Sequence, residues 1–93
     1  MTYDEFLILI RKDNFPDPVL VEQPANGRLD AHSHPFEVKA LVIEGSIEIE
    51  IDGAKSIYHK GDIFQLLLDQ THKESYGFSG VKYYASRKFN LFN

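Results

Sequence analysis

The chain has 93 residues, with 10 Lys and Arg against 14 Asp and Glu, for a net charge of -4, and it contains no cysteine. That length suits one domain, residues 1–93, able to bury roughly 60–65% of its unfolded surface. It offers no basic excess for nucleic acid, no thiol for a disulfide or thiolate metal site, and no run near the roughly 20 apolar residues of a membrane span. The acidic start, Met1-Thr2-Tyr3-Asp4-Glu5, lacks the basic region of a signal peptide, so an intracellular, cytoplasmic protein is expected.

Thr2-Tyr3-Asp4-Glu5 fits a capping box, in which Thr2 accepts from the Glu5 amide and Glu5 reaches back. Tyr3, Phe6, Leu7 and Ile10 follow at helical spacing, which predicts a helix over residues 2–13 that stops before Asn14-Phe15-Pro16. Phe6 to Ile10 is also a continuous apolar run that a strand could bury.

Strand and turn signals fill the rest. Pro18 to Gln23 reads as a strand closed by Pro24-Ala25-Asn26-Gly27, and a second extended segment carries His32 and His34. Val38 to Glu44 is the next strand, ended by Gly45. Ser46-Ile47-Glu48-Ile49-Glu50-Ile51 alternates apolar and polar without error. Asp52-Gly53 is a type I′ hairpin signal, because both residues must take φ > 0. Ala54 to His59 returns, Lys60-Gly61-Asp62 turns, and Ile63 to Leu68, Gln70 to Tyr76 and Val81 to Arg87 follow. Gly77-Phe78-Ser79-Gly80 reads as a hairpin turn. Eight short strands without a second helical pattern predict a β-sandwich or barrel over about residues 18–88.

His32-Ser33-His34 carries the chemistry. Side chains at i and i+2 on an extended strand share a face, so both imidazoles can bind one divalent ion, with His72 arriving from a distant strand as a third ligand. Ser33 alternates away. Glu74 and Tyr76 share the face of His72 if that strand runs regularly; Glu74 is then a candidate general base or anchor, and Tyr76 a candidate acid or hydrogen-bond donor, although simple packing would account for both. His59 and Gln65 read as outward-facing, and Phe36 and Tyr84 as pocket aromatics or ordinary packing.

These residues resemble a family. His32-Ser33-His34-Pro35 running into Val42-Ile43-Glu44-Gly45 is similar to the first motif of cupins, and Gly61-Asp62-Ile63-Phe64 ending at His72 to the second. The resemblance, over roughly residues 19–87, implies an all-β fold, the cupin double-stranded β-helix or jelly-roll barrel, with the short N-terminal helix outside it. It gives the metal role to His32, His34 and His72. The family's fourth ligand is a glutamate, but an ungapped alignment back from Gly45 puts Val38 in its slot. Glu37 lies one residue early, and a one-residue shift flips a side chain across the strand; a bulge would be needed to turn Glu37 inward as a ligand. The second motif departs too, with Leu67-Leu68-Asp69 in place of a Pro-x-Gly turn and Tyr76 in place of an asparagine.

The resemblance implies a cupin holding one divalent ion (iron, nickel, manganese, zinc or copper), acting as a dioxygenase- or isomerase-like enzyme on a small organic molecule. The other readings are a non-catalytic small-molecule sensor and a metal-free barrel. Nucleic acid and membrane are not expected partners; a homodimer is. Leu41 and Ile43 face away from Val38, Ala40 and Val42, so this strand is apolar on both sides and needs cover from the helix or from another subunit. Phe89-Asn90-Leu91-Phe92 is a further apolar element.

Overall fold

The computed structural model describes residues 1–89; the expectation for Asn90-Leu91-Phe92 lies outside the described residues. Helix α1 spans Tyr3–Lys12 and opens on the capping box, with Thr2 Oγ1 accepting from the Glu5 amide at 3.2 Å and Glu5 Oε1 accepting from the Thr2 amide at 2.9 Å. Asp4 and Glu5 in the first turn and Arg11 and Lys12 in the last complement the helix dipole. Six strands follow: β1 (Val19–Gln23), β2 (Arg28–His32), β3 (Phe36–Ile51), β4 (Ala54–His59), β5 (Ile63–Leu66) and β6 (His72–Phe89).

All pairings are antiparallel, and two long strands organise them. The first half of β3 lies between β5 and the second half of β6, whose other edge takes β1. The second half of β3 lies between β4 and the first half of β6, whose other edge takes β2. The result is two four-stranded sheets, β1–β6–β3–β5 and β2–β6–β3–β4, continuous through β3 and β6. This is a jelly-roll arrangement.

This continuity corrects the strand count. The expected strands ending at Gly45 and beginning at Ser46 are one 16-residue strand, and those on either side of Gly77–Gly80 are one of 18 residues. Gly77-Phe78-Ser79-Gly80 therefore does not reverse the chain. It belongs to a bend, where β3 shifts register between Val42 and Glu44 and again between Gly45 and Ile47. Gly45 and Gly80 take φ of 74° and 73° and press together there: a Cβ on Gly45 would stand 2.0 Å from the Gly80 carbonyl oxygen. Glycine marks a sheet corner as well as a turn, and the local sequence is alike in both. The Asp52-Gly53 hairpin is as expected, with φ of 51° and 80°. The strand expected over Ile63 to Leu68 stops at Leu66, and the one expected from Gln70 begins at His72.

Strand alternation sorts two apolar clusters. Val38, Ala40, Val42, Ile47, Ile49, Phe64, Leu66, Tyr76, Val81, Tyr83 and Ala85 are buried between the sheets. On the outer face of β3, Leu41 packs with Phe6, Ile10 and Phe15, flanked by Leu7, Ile43 and Tyr84. The helix, rather than a second subunit, therefore covers the Leu41 face. Tyr84 packs against Tyr3, with ring centroids 4.8 Å apart and the planes tilted by 55°, and so lies outside the pocket. Among the described residues no helix is long and apolar enough to cross a membrane.

Candidate metal centre

One end of the barrel brings three histidines together. His32 is the last residue of β2 and pairs with His72, the first of β6. His34 sits just beyond β2, in the loop to β3, where its carbonyl accepts from the Asp69 amide at 2.9 Å. A register shift between Leu29 and His32 loosens β2 where it reaches the site. The His32-Ser33-His34 pair thus straddles a strand end and still converges. Ring centroids are 4.2 Å apart for His32 and His72, 5.0 Å for His32 and His34, and 5.4 Å for His34 and His72.

The fourth member is Glu74, two residues along β6 from His72 and on the same face. One ligand atom from each of His32, His34, His72 and Glu74 lies within 4.8 Å of all the others. Glu37 does not belong to this group. Phe36, Val38 and Ala40 face inward on β3, so alternation sends Glu37 to the opposite face with Lys39, opposite Lys88 of β6. No bulge intervenes at Glu37 to reverse it; the register shifts of β3 come only after Val42.

Hydrogen bonds fix the ring orientations. His32 Nδ1 donates to the Asp30 carbonyl at 2.7 Å, and His72 Nδ1 to the Gln70 carbonyl at 3.0 Å. A carbonyl can only accept, so each Nδ1 carries the proton and, in the neutral ring, each Nε2 presents a lone pair. Both Nε2 atoms lie close to one carboxylate oxygen: Glu74 Oε2 is 2.9 Å from His72 Nε2 and 3.2 Å from His32 Nε2. The His32 contact is misaligned for a hydrogen bond, which leaves its Nε2 buried without a hydrogen-bond partner. Lone pairs facing a carboxylate repel unless a proton or a cation lies between them. The other oxygen, Glu74 Oε1, accepts from the Tyr76 hydroxyl at 3.1 Å.

Burial sharpens these interactions. His72 is 2% and Glu74 8% exposed. His34 is held below its ordinary pKa by burial and by the neighbouring imidazoles, which keeps it neutral and able to ligate. The Tyr76 phenol is pushed far up, first by burial and then by the Glu74 charge and hydrogen bond, so it stays a donor. Burial also raises Tyr83.

The residues fit a metal. Three imidazoles and a carboxylate are donors that first-row divalent ions accept, and backbone carbonyls on the far ring nitrogens are the usual orienting partners of ligating histidines. Donors about 2.1 Å from one ion stand at most about 4.2 Å apart, so these atoms, within 4.8 Å of one another, would draw inward to hold an ion.

The centre forms one wall of a cavity of about 440 Å³, otherwise lined mainly by Phe36, Val38, Phe64, Leu66, Tyr83 and Phe89, with Arg87 on the same wall as Tyr83. His34 stacks on Phe36 at 4.8 Å with an interplanar angle of 13°. His59 and Gln65 are exposed, as expected. The sequence made Glu74 a candidate general base or anchor rather than a ligand, and did not single out Arg87. The two-residue step from His72 was the available signal for Glu74.

No protein-family model matches the sequence, and no curated protein matches it. Solved structures do. The chain is similar to the Schizosaccharomyces pombe Cnp3 cupin domain, with TM-score 0.68 and 16% identity over 81% of this chain and 55% of that one. It is similar to a DUF861 family protein from Thermotoga maritima, with TM-score 0.65 and 17% identity over 98% and 93%. A third likeness is to the DMSP lyase DddQ from Ruegeria pomeroyi, with TM-score 0.69 and 19% identity over 80% and 38%. The chain thus spans about half the length of the Cnp3 domain and less of DddQ. This is a small protein of the cupin fold, carrying a His/Glu group able to hold a metal ion.

Proposed function

We propose that His32, His34, His72 and Glu74 hold one divalent transition-metal ion, and that the protein uses it on a small organic molecule admitted to the apolar cavity. The observation that carries this reading is the approach of two imidazole Nε2 atoms to Glu74 Oε2 with both Nδ1 protons already committed to backbone carbonyls. A bound cation converts that repulsion into ligation. Iron, nickel, manganese, zinc and copper all accept this donor set, and availability decides among them.

An ion held by His32, His34, His72 and Glu74 would supply Lewis-acid chemistry, polarising an oxygen of the small molecule or lowering the pKa of water. The chain's own residues supply the rest. Tyr76 holds Glu74 in place, and the aromatic wall excludes water from the ligand's apolar part. The enzymatic reading, dioxygenase- or isomerase-like, comes from the family resemblance; the DMSP lyase DddQ shows that the same fold hosts enzymes. Glu74 then serves as a ligand rather than as a general base, and Tyr76 as its positioning residue. A homodimer, expected from the resemblance, is part of this proposal; a monomeric sedimentation profile at micromolar concentration would count against it.

The experiment is elemental analysis of untagged protein purified without chelator, beside a His32→Ala/His72→Ala variant. Near-stoichiometric metal that disappears in the variant is the expected result. Absence of metal, even after loading with iron, nickel, manganese and zinc, would overturn the reading and leave a non-catalytic small-molecule-binding module.

A further inference from the structure

The cavity beside the metal centre has a charge pattern that its donor set does not explain. Among the described residues lining it, Glu74 is the only acidic one, and its two oxygens are committed to the histidines and to Tyr76. Arg87 is the only lysine or arginine among the described residues there. It stands on β6 opposite Val38 of β3, on the same face as the buried Tyr83 and Ala85, and is itself exposed, so alternation sets it at the solvent-facing rim of the cavity. Its guanidinium carbon lies 5.9 Å from the centroid of the Phe36 ring, whose neighbour on the metal side is His34. Among the described residues Arg87 has no carboxylate partner, whereas Lys39 pairs with Asp13 and Lys82 with Glu44.

We propose that Arg87 is the recognition residue for a carboxylate on the ligand, and that the ligand class is a small monocarboxylate with an aromatic or apolar body. Guanidinium binds carboxylate through two parallel N–H donors, a geometry that lysine cannot copy. The body lies against Phe36, Phe64 and Leu66, and its far end faces the histidines. A divalent ion on three neutral imidazoles and one carboxylate keeps one positive charge, so metal and Arg87 together favour an anion over its neutral analogue. This inference rests on the cavity being the ligand site of the proposed function, but not on the metal being present.

The test is calorimetric titration of zinc-loaded protein with benzoate and with benzamide, its neutral isostere, repeated for Arg87→Gln and Arg87→Lys, with zinc content measured in each. Benzoate is expected to bind about tenfold more tightly than benzamide, the scale of one charge-assisted pair. The preference should vanish in Arg87→Gln at unchanged zinc content and survive in part in Arg87→Lys. Equal affinities, no binding of either compound, or a preference that persists in Arg87→Gln would overturn the proposal; the last result would assign the carboxylate to the metal. The His32→Ala/His72→Ala protein separates the two readings. If the wild type takes up no metal yet both proteins prefer benzoate through Arg87, the metal reading falls and the carboxylate site stands.

Discussion

The Tyr76 hydroxyl donates to Glu74 Oε1 at 3.1 Å, while the other oxygen of the same carboxylate faces His72 Nε2 at 2.9 Å. Tyr76, Glu74 and His72 are successive inward residues of β6, so one strand supplies two members of the proposed metal group and the hydroxyl that orients one of them. Partners that orient a ligating group typically contribute 10–100-fold to metal affinity. Tyr76→Phe is therefore expected to lower metal affinity by about 10- to 100-fold with the fold retained, because the ring still fills its place in the core. Competition against a chelator measures the affinity, and circular dichroism the fold. Undiminished affinity would reduce Tyr76 to a packing residue.

Glu74 and Glu37 offer a paired test of which carboxylate ligates. Glu74→Gln keeps shape and volume but removes the charge that balances the cation, so metal occupancy should fall sharply. Glu37→Gln lies on the opposite face of β3, outside the four-residue group, and should leave occupancy unchanged. His34→Ala should also lower occupancy while the strands stay folded, since His34 lies in a loop outside the ladder. Equal losses from Glu37→Gln and Glu74→Gln, read by elemental analysis, would contradict the assignment.

The phenols of Tyr76 and Tyr83 predict a loss of stability in alkali. Both titrate above the ordinary tyrosine value in the folded protein, chiefly through burial and then through the Glu74 charge. In the unfolded chain they lose their protons near pH 10. Above that pH the folded state binds more protons than the unfolded state, so stability falls as pH rises. Their contribution is complete below about pH 10 and is lost on climbing toward the folded values. Chelator-treated protein should show a denaturation midpoint that declines between about pH 9 and pH 11, and less steeply in Tyr83→Phe. His34 acts at the other end. Its depressed pKa contributes stability above about pH 6.5 that disappears as pH falls through the folded value.

Much of this was legible before the fold was in hand, for reasons that differ by residue. The capping box at Thr2 and Glu5, the Asp52-Gly53 hairpin and the alternation of Ile47 and Ile49 are local, and local physics decides them. His32, His34 and His72 were found because spacing and strand period limit where imidazoles can point. Glu74 was placed on the face of His72 but read as a general base or anchor rather than as a ligand, because nothing in a sequence states how far a carboxylate reaches. Arg87 escaped notice, since an arginine at the end of an alternating strand reads as a solvated edge. The two long strands escaped for another reason. A glycine that lets β3 and β6 cross closely carries the same signal as one that ends a strand, and only the partner strand tells them apart.

That ambiguity supplies the last prediction. Gly45 and Gly53 both take positive φ, 74° and 80°, so alanine at either meets a similar backbone penalty of about 1 kcal/mol. Their surroundings differ. At Gly53 a Cβ meets nothing within 4 Å, whereas at Gly45 it would stand 2.0 Å from Gly80 O and 3.0 Å from Val81 Cα. Both obstacles are backbone, with no flexible side chain to swing aside, so relief requires β3 and β6 to separate at the corner where the two sheets join. Gly53→Ala is expected to fold with a loss of about 1 kcal/mol, and Gly45→Ala to lose several times more or fail to accumulate as folded protein. Urea denaturation of both variants measures the difference. A Gly45→Ala protein as stable as Gly53→Ala would mean that the corner is loosely packed and that the β3–β6 crossing is not what sets the barrel's shape.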